Sequence, residues 1–392
     1  MNMFFRIILD YDTLVSEIVA KIPEKHFVSE TDTFLDPAFA GGQLLKAVAK
    51  RLNKYGHSIE NIRSRLFGYE DSIAYLNHPA NYSTAMIANL SVVRYMEFIN
   101  MAKKDFDVIL VNAPYQNADK NNTATSLWIP FIEKCCSMAD TVATVNPINW
   151  LNVDMNKYSF LKNCHIFLSK IYNSKNTPFN GVGIRVGYML IDTTSNSGIT
   201  KFIDSDTDEI IEVDLKTSGN LPGNINNIVL SIWKKTMYCE NKMGITRKGQ
   251  LHTQNKELWS ETKSEKFCYP LYKSNEHVWS SIKKENYHDI KLIIPEARSH
   301  LKSVIKSDCN TSQSAYYVKY DTVSQAENAK DILCSKLFTF LLNESKWGPG
   351  LSQSTLENLP FIDVSSTWAD NELYAHFDLT QEEIEYIEAN VK

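Results

Sequence analysis

The sequence predicts an α/β protein on a doubly wound, mainly parallel sheet, followed by a mixed α+β region. Three observations predict it. First, an apolar, β-branched run, Val108-Ile109-Leu110-Val111, stops abruptly at Asn112-Ala113-Pro114-Tyr115, as a buried parallel strand does where it leaves its sheet. Second, Thr33 to Leu45 reads as strand, glycine turn and helix, with Gly41 and Gly42 in the turn. Third, strand-like and helix-like segments alternate up to about residue 200, the pattern of successive βαβ units.

Taken in order, Leu14, Ile18, Val19 and Ile22 have helical spacing that ends at Pro23. A short strand ends at Asp36-Pro37, and a helix runs from Leu44 to Leu52. Leu66-Phe67-Gly68-Tyr69 reads as a second strand ending at the acid Glu70, and Ile73 to Asn89 as a helix. Met96-Glu97-Phe98-Ile99 follows. The polar stretch Gln116 to Thr125 reads as a mobile loop. Leu127 to Met138 is an apolar helix, with Cys135 and Cys136 as its partly buried filling. Thr141 to Pro147 is a further strand, with Trp150 expected in the core beyond it. Phe160 to Ser169 is a helix or a strand, and the second part of Thr177 to Ile191 alternates as a hairpin strand closing the sheet.

Ligands of open α/β sheets bind beyond the carboxyl ends of the strands. At those ends this sequence places specific chemistry. Asn112 offers a side-chain carbonyl that accepts from an exocyclic amine, Pro114 stiffens the turn, and Tyr115 offers a face for stacking. Together they suit a planar amino-heterocycle such as adenine. The glycines let backbone approach a ligand, and the following helix offers free N–H groups. An acid ending the second strand, Glu70, commonly accepts from ribose hydroxyls.

These residues carry a resemblance. Asn112-Ala113-Pro114-Tyr115 resembles the Asn-Pro-Pro-Tyr motif of S-adenosylmethionine-dependent DNA amino-methyltransferases, particularly the TaqI-like N6-adenine enzymes. Asp36-Pro37-Ala38-Phe39-Ala40-Gly41-Gly42 is similar to their cofactor motif, Asp-Pro-x-x-Gly-x-Gly, with Ala40 in place of the first glycine. The order is the gamma-type order of that family: cofactor motif, catalytic motif, DNA-recognition region. The resemblance implies a Rossmann-like methyltransferase sheet. It implies that S-adenosyl-L-methionine is held by Asp36, Pro37, Ala38, Phe39, Gly41, Gly42, Glu70, Glu97, Phe98 and Asn112. It assigns catalysis to Asn112, Ala113, Pro114 and Tyr115, with Phe179 stacking on the flipped base, and it calls for no metal.

Length and composition bound the rest. The chain has 392 residues, 43% of them hydrophobic, and a formal net charge of −5, so attraction to nucleic acid has to come from uneven charge distribution. The seven scattered cysteines include no Cys-x-x-Cys pair, which argues against a zinc site and for a reducing compartment. The short apolar start lacks a signal-peptide cleavage region, and no apolar run is long enough to span a bilayer. These features suggest a cytoplasmic protein of a bacterium or a phage-infected cell.

The second half loses the alternation and gains base. Residues 221 to 310 hold 15 Lys and Arg against 9 Asp and Glu. The cations interleave with Trp233, Trp259, Tyr269 and Tyr272, a composition that suits phosphates and bases. Lys234, Lys235, Arg247, Lys248, Lys263 and Lys266 are the candidate DNA contacts. Ile332 to Leu342 reads as one apolar helix, and the acidic tail opens its last helix with the capping box Thr380-x-x-Glu383.

The expected organisation is a catalytic domain over 1–215, a target-recognition domain over 216–362 and an acidic helical tail over 363–392. The expected activity is methylation of adenine N6 in double-stranded DNA, by a solitary or restriction-modification type enzyme. The alternatives are an RNA adenine, a protein glutamine, or a non-catalytic DNA-binding relative. Oligomeric state and recognition sequence are not legible.

Overall fold

The computed structural model describes residues 11–391 apart from 71–88, 103–104, 114–115, 119–123, 152–158, 163, 173–183, 245–246, 274–275, 298–299 and 347–349. The chain divides into two compact units, Met1–Asn220 and Leu221–Lys392.

The first unit is built on nine strands: β1 (Phe34–Asp36), β2 (Leu66–Glu70), β3 (Asn89–Val92), β4 (Phe106–Asn112), β5 (Ala139–Pro147), β6 (His165–Ile171), β7 (Val186–Asp192), β8 (Ile199–Ile203) and β9 (Ile210–Asp214). Their order is β9-β8-β6-β7-β5-β4-β1-β2-β3. Pairing is parallel from β3 through β5 and between β6 and β8. β7 is antiparallel to both of its neighbours, and β9 is antiparallel to β8. From β1 the chain moves outward through β2 and β3, then returns to the other side of β1 with β4 and β5. The order therefore reverses between β1 and β4, which makes that gap the topological switch point.

Helices α1 (Tyr11–Lys21) and α2 (Gln43–Lys54) cover one face of the sheet. The spacing of Leu14, Val15, Ile18 and Val19 buries one side of α1 against the core that holds Phe34, Val108, Leu110 and Val145. Each such side chain contributes about 1.5–3 kcal/mol by leaving water. Ser58 caps the short helix α3 (Ile59–Arg65) by accepting the Asn61 N–H. The other face carries an aromatic cluster. Phe98 of α4 (Tyr95–Asn100) lies between Tyr69 and Phe131 of α5 (Trp128–Cys136), with ring centroids 6.2 and 4.7 Å away.

The structure departs from the sequence pattern in two places. The stretch after Tyr115, read as a loop, carries a small antiparallel ribbon, with Gln116–Ala118 paired to Ala124–Ser126. Pairing satisfies backbone groups that the polar composition alone leaves open. The single helix read from Ile332 to Leu342 is two helices, α7 (Val323–Cys334) and α8 (Lys336–Ser345). They break at Ser335, whose hydroxyl caps the second by accepting the Phe338 N–H. Of the helix predicted from Ile73 to Asn89, residues 73–88 lie outside the described residues, and Asn89 instead opens β3.

The second unit is mixed α+β. One antiparallel sheet joins Arg247–Lys248, Ala315–Tyr320, Ile290–Pro295 and Val304–Lys306. A second joins Trp259–Ser260, Glu276–Ser280, Tyr269–Lys273 and Asn310–Thr311. The core is shared by α6 (Asn227–Met237), α7, α8, α9 (Asp370–His376) and α10 (Gln381–Asn390). The acidic tail contributes Leu373, Ile387 and Val391 to that core. Its capping box is formed: Thr380 and Glu383 each accept the other's backbone N–H.

Candidate functional site

Three strand ends converge. Strand geometry alternates side chains between faces, so residues an even number apart share one. Phe34, Leu66 and Val108 lie in register and in the core under α1 and α2. Asp36, Glu70 and Asn112 follow them by two, four and four positions. All three therefore sit on the helix-covered face, at the carboxyl edge, astride the switch point.

Asp36 and Glu70 are both 1% exposed, and each is committed to the turn between β1 and α2. Asp36 accepts the Ala38 N–H at 3.0 Å, and Glu70 accepts the Ala40 N–H at 2.9 Å. The turn is unusual. Ala40, Gly41 and Gly42 have φ of +41°, +99° and +75°, three consecutive residues in the left-handed region. A Cβ on Gly42 would come within 2.4 Å of the Phe39 ring, so only glycine fits there. Phe39 is itself fixed, its N–H donating to the Tyr69 carbonyl at 2.9 Å. The N-cap of α2 is Gly42, which has no side chain to cap the first turn, and the positive end of this twelve-residue helix faces the turn. A glycine cradle, a helix N-terminus and two buried acids fit a ligand with both a carboxylate and a ribose, as S-adenosylmethionine has.

Asn112 ends β4 directly opposite Val145 of β5 and is half-buried, and Ala113 is buried. On the opposite face, the end of β5 holds polar atoms without hydrogen-bond partners among the described residues: Thr144 Oγ1, Asn146 Oδ1 and, just beyond, Asn149 Oδ1. The sequence signal for them was Asn146-Pro147, an amide-proline stop on the strand beside Asn112. Sequence reading also missed Glu17. Its carboxylate pins α1 to the sheet through Lys170 at 2.9 Å, Tyr188 at 3.0 Å and Tyr172 at 3.1 Å. Burial first, and the Glu17 charge next, drive both phenols well above the ordinary tyrosine range.

Other candidates are placed differently. Glu97 is exposed and caps its own helix, accepting the Arg94 N–H at 2.8 Å. Phe98 is fully buried in the aromatic cluster. Pro114, Tyr115 and Phe179 lie outside the described residues. Among the described residues no group of His, Cys, Asp and Glu could hold a metal ion, and no helix is long and apolar enough to cross a membrane.

In the second unit the candidate cations separate into three kinds. Lys235 is tied to the tail, donating to Glu383 at 2.7 Å and to the Asp378 carbonyl at 2.8 Å. Lys248 pairs with Glu296 at 3.1 Å. Lys234 and Arg247 are exposed. Lys263 and Lys266 instead lie over aromatic rings, Trp279 at 4.8 Å and Phe267 at 5.1 Å. Three lysines outside the candidate set share that habit: Lys256 and Lys273 over Trp259 at 4.3 and 3.9 Å, and Lys283 over Tyr287 at 5.0 Å. A cation held by a ring keeps its charge and most of its donors for another partner.

No protein-family model matches the chain, and no curated protein matches its sequence. Solved structures do match. A nuclease-deletion mutant of the Type ISP restriction-modification enzyme LlaGI, in complex with a DNA substrate mimic, gives a TM-score of 0.57 at 10% identity, over 98% of this chain and 46% of that one. The DrdV–DNA complex gives 0.54 at 10% identity, over 81% and 49%. The Type IIL restriction-modification enzyme MmeI, in complex with DNA, gives 0.50 at 12% identity, over 89% and 64%. The chain thus spans less than two thirds of each of these proteins. What is shared at such identities is the fold, and the first unit has the Rossmann-like methyltransferase fold.

Proposed function

We propose that this protein is an S-adenosylmethionine-dependent DNA methyltransferase acting on adenine N6. One observation carries the reading: Asp36, Glu70 and Asn112, from three separate strands, share one face and one edge at the switch point. Three solved proteins of like fold, DrdV, LlaGI and MmeI, were solved in complex with DNA or a DNA substrate mimic, which supports DNA as the substrate.

When bound, S-adenosylmethionine supplies an electrophilic methyl group on a sulfonium. The turn from Pro37 to Gly42 and the start of α2 would receive its amino-acid end. Glu70 would accept from ribose hydroxyls. The target adenine has to leave the duplex, because its amine is out of reach inside the stack. The Asn112 side-chain carbonyl and the Ala113 backbone carbonyl then accept the two amine hydrogens. That holds the nitrogen lone pair out of ring conjugation and aims it for direct displacement. Positioning and electrostatics supply most of the acceleration. Tyr115 and Phe179 would stack on the extruded base. The ring-held lysines of the second unit would neutralise phosphates.

The test is Asn112→Ala. Methyl transfer from labelled S-adenosylmethionine to duplex DNA is expected to vanish, while calorimetry still detects cofactor binding. Undiminished transfer by the variant would overturn the reading, as would the absence of cofactor binding by the unaltered protein.

A further inference from the structure

The first unit brings together two cysteines that the proposed methyl transfer does not use. Cys136 is the last residue of α5, and Cys164 stands between the short helix Ser159–Lys162 and β6. The sheet explains how they meet. β7 runs antiparallel between β5 and β6, and its Asp192 pairs with Thr141 on one side and with His165 on the other. The starts of β5 and β6 therefore lie level at the amino edge of the sheet, with one strand between them. α5 delivers Cys136 just ahead of β5, and Cys164 lies one residue ahead of β6. The two thiols are in hydrogen-bond contact across that gap. The edge is opposite the one that carries Asp36, Glu70 and Asn112.

Both cysteines are free and half-buried, so a small oxidant reaches them. Each closes or follows a helix, where the backbone has room for the small shift that a sulfur–sulfur bond requires. Cys135, the neighbour of Cys136, differs in both respects. It is fully buried, and burial pushes its thiol far above the usual cysteine value, which leaves it protonated and unreactive. The hydrogen bond from Cys136 holds the Cys164 thiol below its usual value, against burial and the Glu133 charge. The same contact, and then burial, raise Cys136. One sulfur is thus the readier thiolate, and its neighbour is in place to displace whatever the oxidant leaves on it.

We propose that Cys136 and Cys164 are a site of reversible oxidation by peroxide, forming a disulfide that staples the end of α5 to the start of β6. The Cys164 thiolate attacks one peroxide oxygen and the O–O bond breaks. The sulfur becomes a sulfenic acid, and the hydroxide that leaves takes up the proton Cys164 had released. The Cys136 sulfur then attacks the sulfenic sulfur. The S–S bond forms, the S–O bond breaks, and hydroxide departs as water with the Cys136 proton. Each sulfur loses one electron, and peroxide is reduced to two waters. A thiol reductant reverses the bond by exchange, as it does for regulatory disulfides in reducing surroundings. The closed loop contains β5, the strand beside Asn112. The site does not depend on the methyltransferase reading.

The experiment treats the full, reduced chain with equimolar hydrogen peroxide, blocks the remaining thiols by alkylation and maps disulfides by mass spectrometry without reduction. One intramolecular bond is expected, between Cys136 and Cys164, with the chain lighter by two hydrogens and restored by dithiothreitol. Cys135→Ser is expected to keep the bond. Cys136→Ser and Cys164→Ser are expected to lose it, with unchanged circular dichroism. In urea the preference for Cys136 over Cys135 is expected to vanish, because only the fold separates those neighbours. A native map that joins Cys135 to Cys164, links different chains or shows no bond overturns the proposal. So does a Cys136→Ser protein in which Cys164 pairs with another cysteine at the native yield.

Discussion

Glu70 accepts the Ala40 N–H at 2.9 Å, and Ala40 is held with φ at +41°. The left-handed region costs an L-residue roughly 1–2 kcal/mol, so this hydrogen bond holds a strained turn in place. Ala40→Gly is therefore expected to raise stability by about 0.5–1 kcal/mol in urea unfolding. Gly42→Ala, with its Cβ against Phe39, is expected to lower it by more than about 1 kcal/mol. An Ala40→Gly protein no more stable than the parent would show that the turn carries no strain at that position.

His300 gives the second unit a built-in acid sensitivity. It is buried, its Nε2 meets Thr339 Oγ1 at 2.9 Å, and its Nδ1 has no partner among the described residues. Burial, helped by the nearby Lys346 charge, holds its pKa down at about 4. An unfolded histidine takes up its proton near 6.5. Protonation therefore favours the unfolded chain: the stability is fully present above about pH 6.5, falls as pH drops toward 4, and levels off below. At 1.36 kcal/mol per pKa unit the loss approaches about 3 kcal/mol. His300→Gln is expected to flatten this part of the pH–stability curve. An identical slope in the two proteins would contradict the assignment.

The ring-held lysines should behave as phosphate contacts. Lys263→Ala and Lys283→Ala are each expected to weaken duplex DNA binding at low salt and to reduce the salt slope by about 1. Filter-binding titrations from low to moderate salt measure both. Unchanged slopes would place the DNA elsewhere.

Lys235 should behave in the opposite way. Hydrogen bonds from Lys235, Ser231 and the Thr380 N–H outweigh the burial that would raise Glu383, and hold its pKa below the usual glutamate value. Its contribution is present above the carboxylate range and lost as pH falls through the lowered pKa. Glu383→Gln is expected to cost about 1–3 kcal/mol at neutral pH and little at low pH. Lys235→Ala should also lose stability while keeping its DNA salt slope. A reduced slope for Lys235→Ala would show that its tie to the tail is broken on DNA.

The strand ends were legible because composition marks them: an apolar run has to stop where its backbone leaves the sheet, and Asp36, Glu70 and Asn112 are those stops. The capping box at Thr380 was legible for a similar local reason, since both partners lie within one turn. Ser335 was not read as a break, because apolar spacing continues across it and only the backbone geometry shows the cap. Glu97 and Phe98 were named from the resemblance, and local sequence did not show the helix cap that Glu97 makes or the aromatic cluster that holds Phe98. The lysines divide by partner, and partners such as Glu383, 148 residues from Lys235, leave no trace in local sequence.

The sequence by itself determined the class of fold, the glycine turn and the identity of the groups at each strand end. These follow from short-range rules: periodicity, turn chemistry and capping. Only the tertiary structure decided that three acidic and amide groups meet on one face of one edge. That depends on the register between strands far apart in the chain, and register is set by the packing of a whole core.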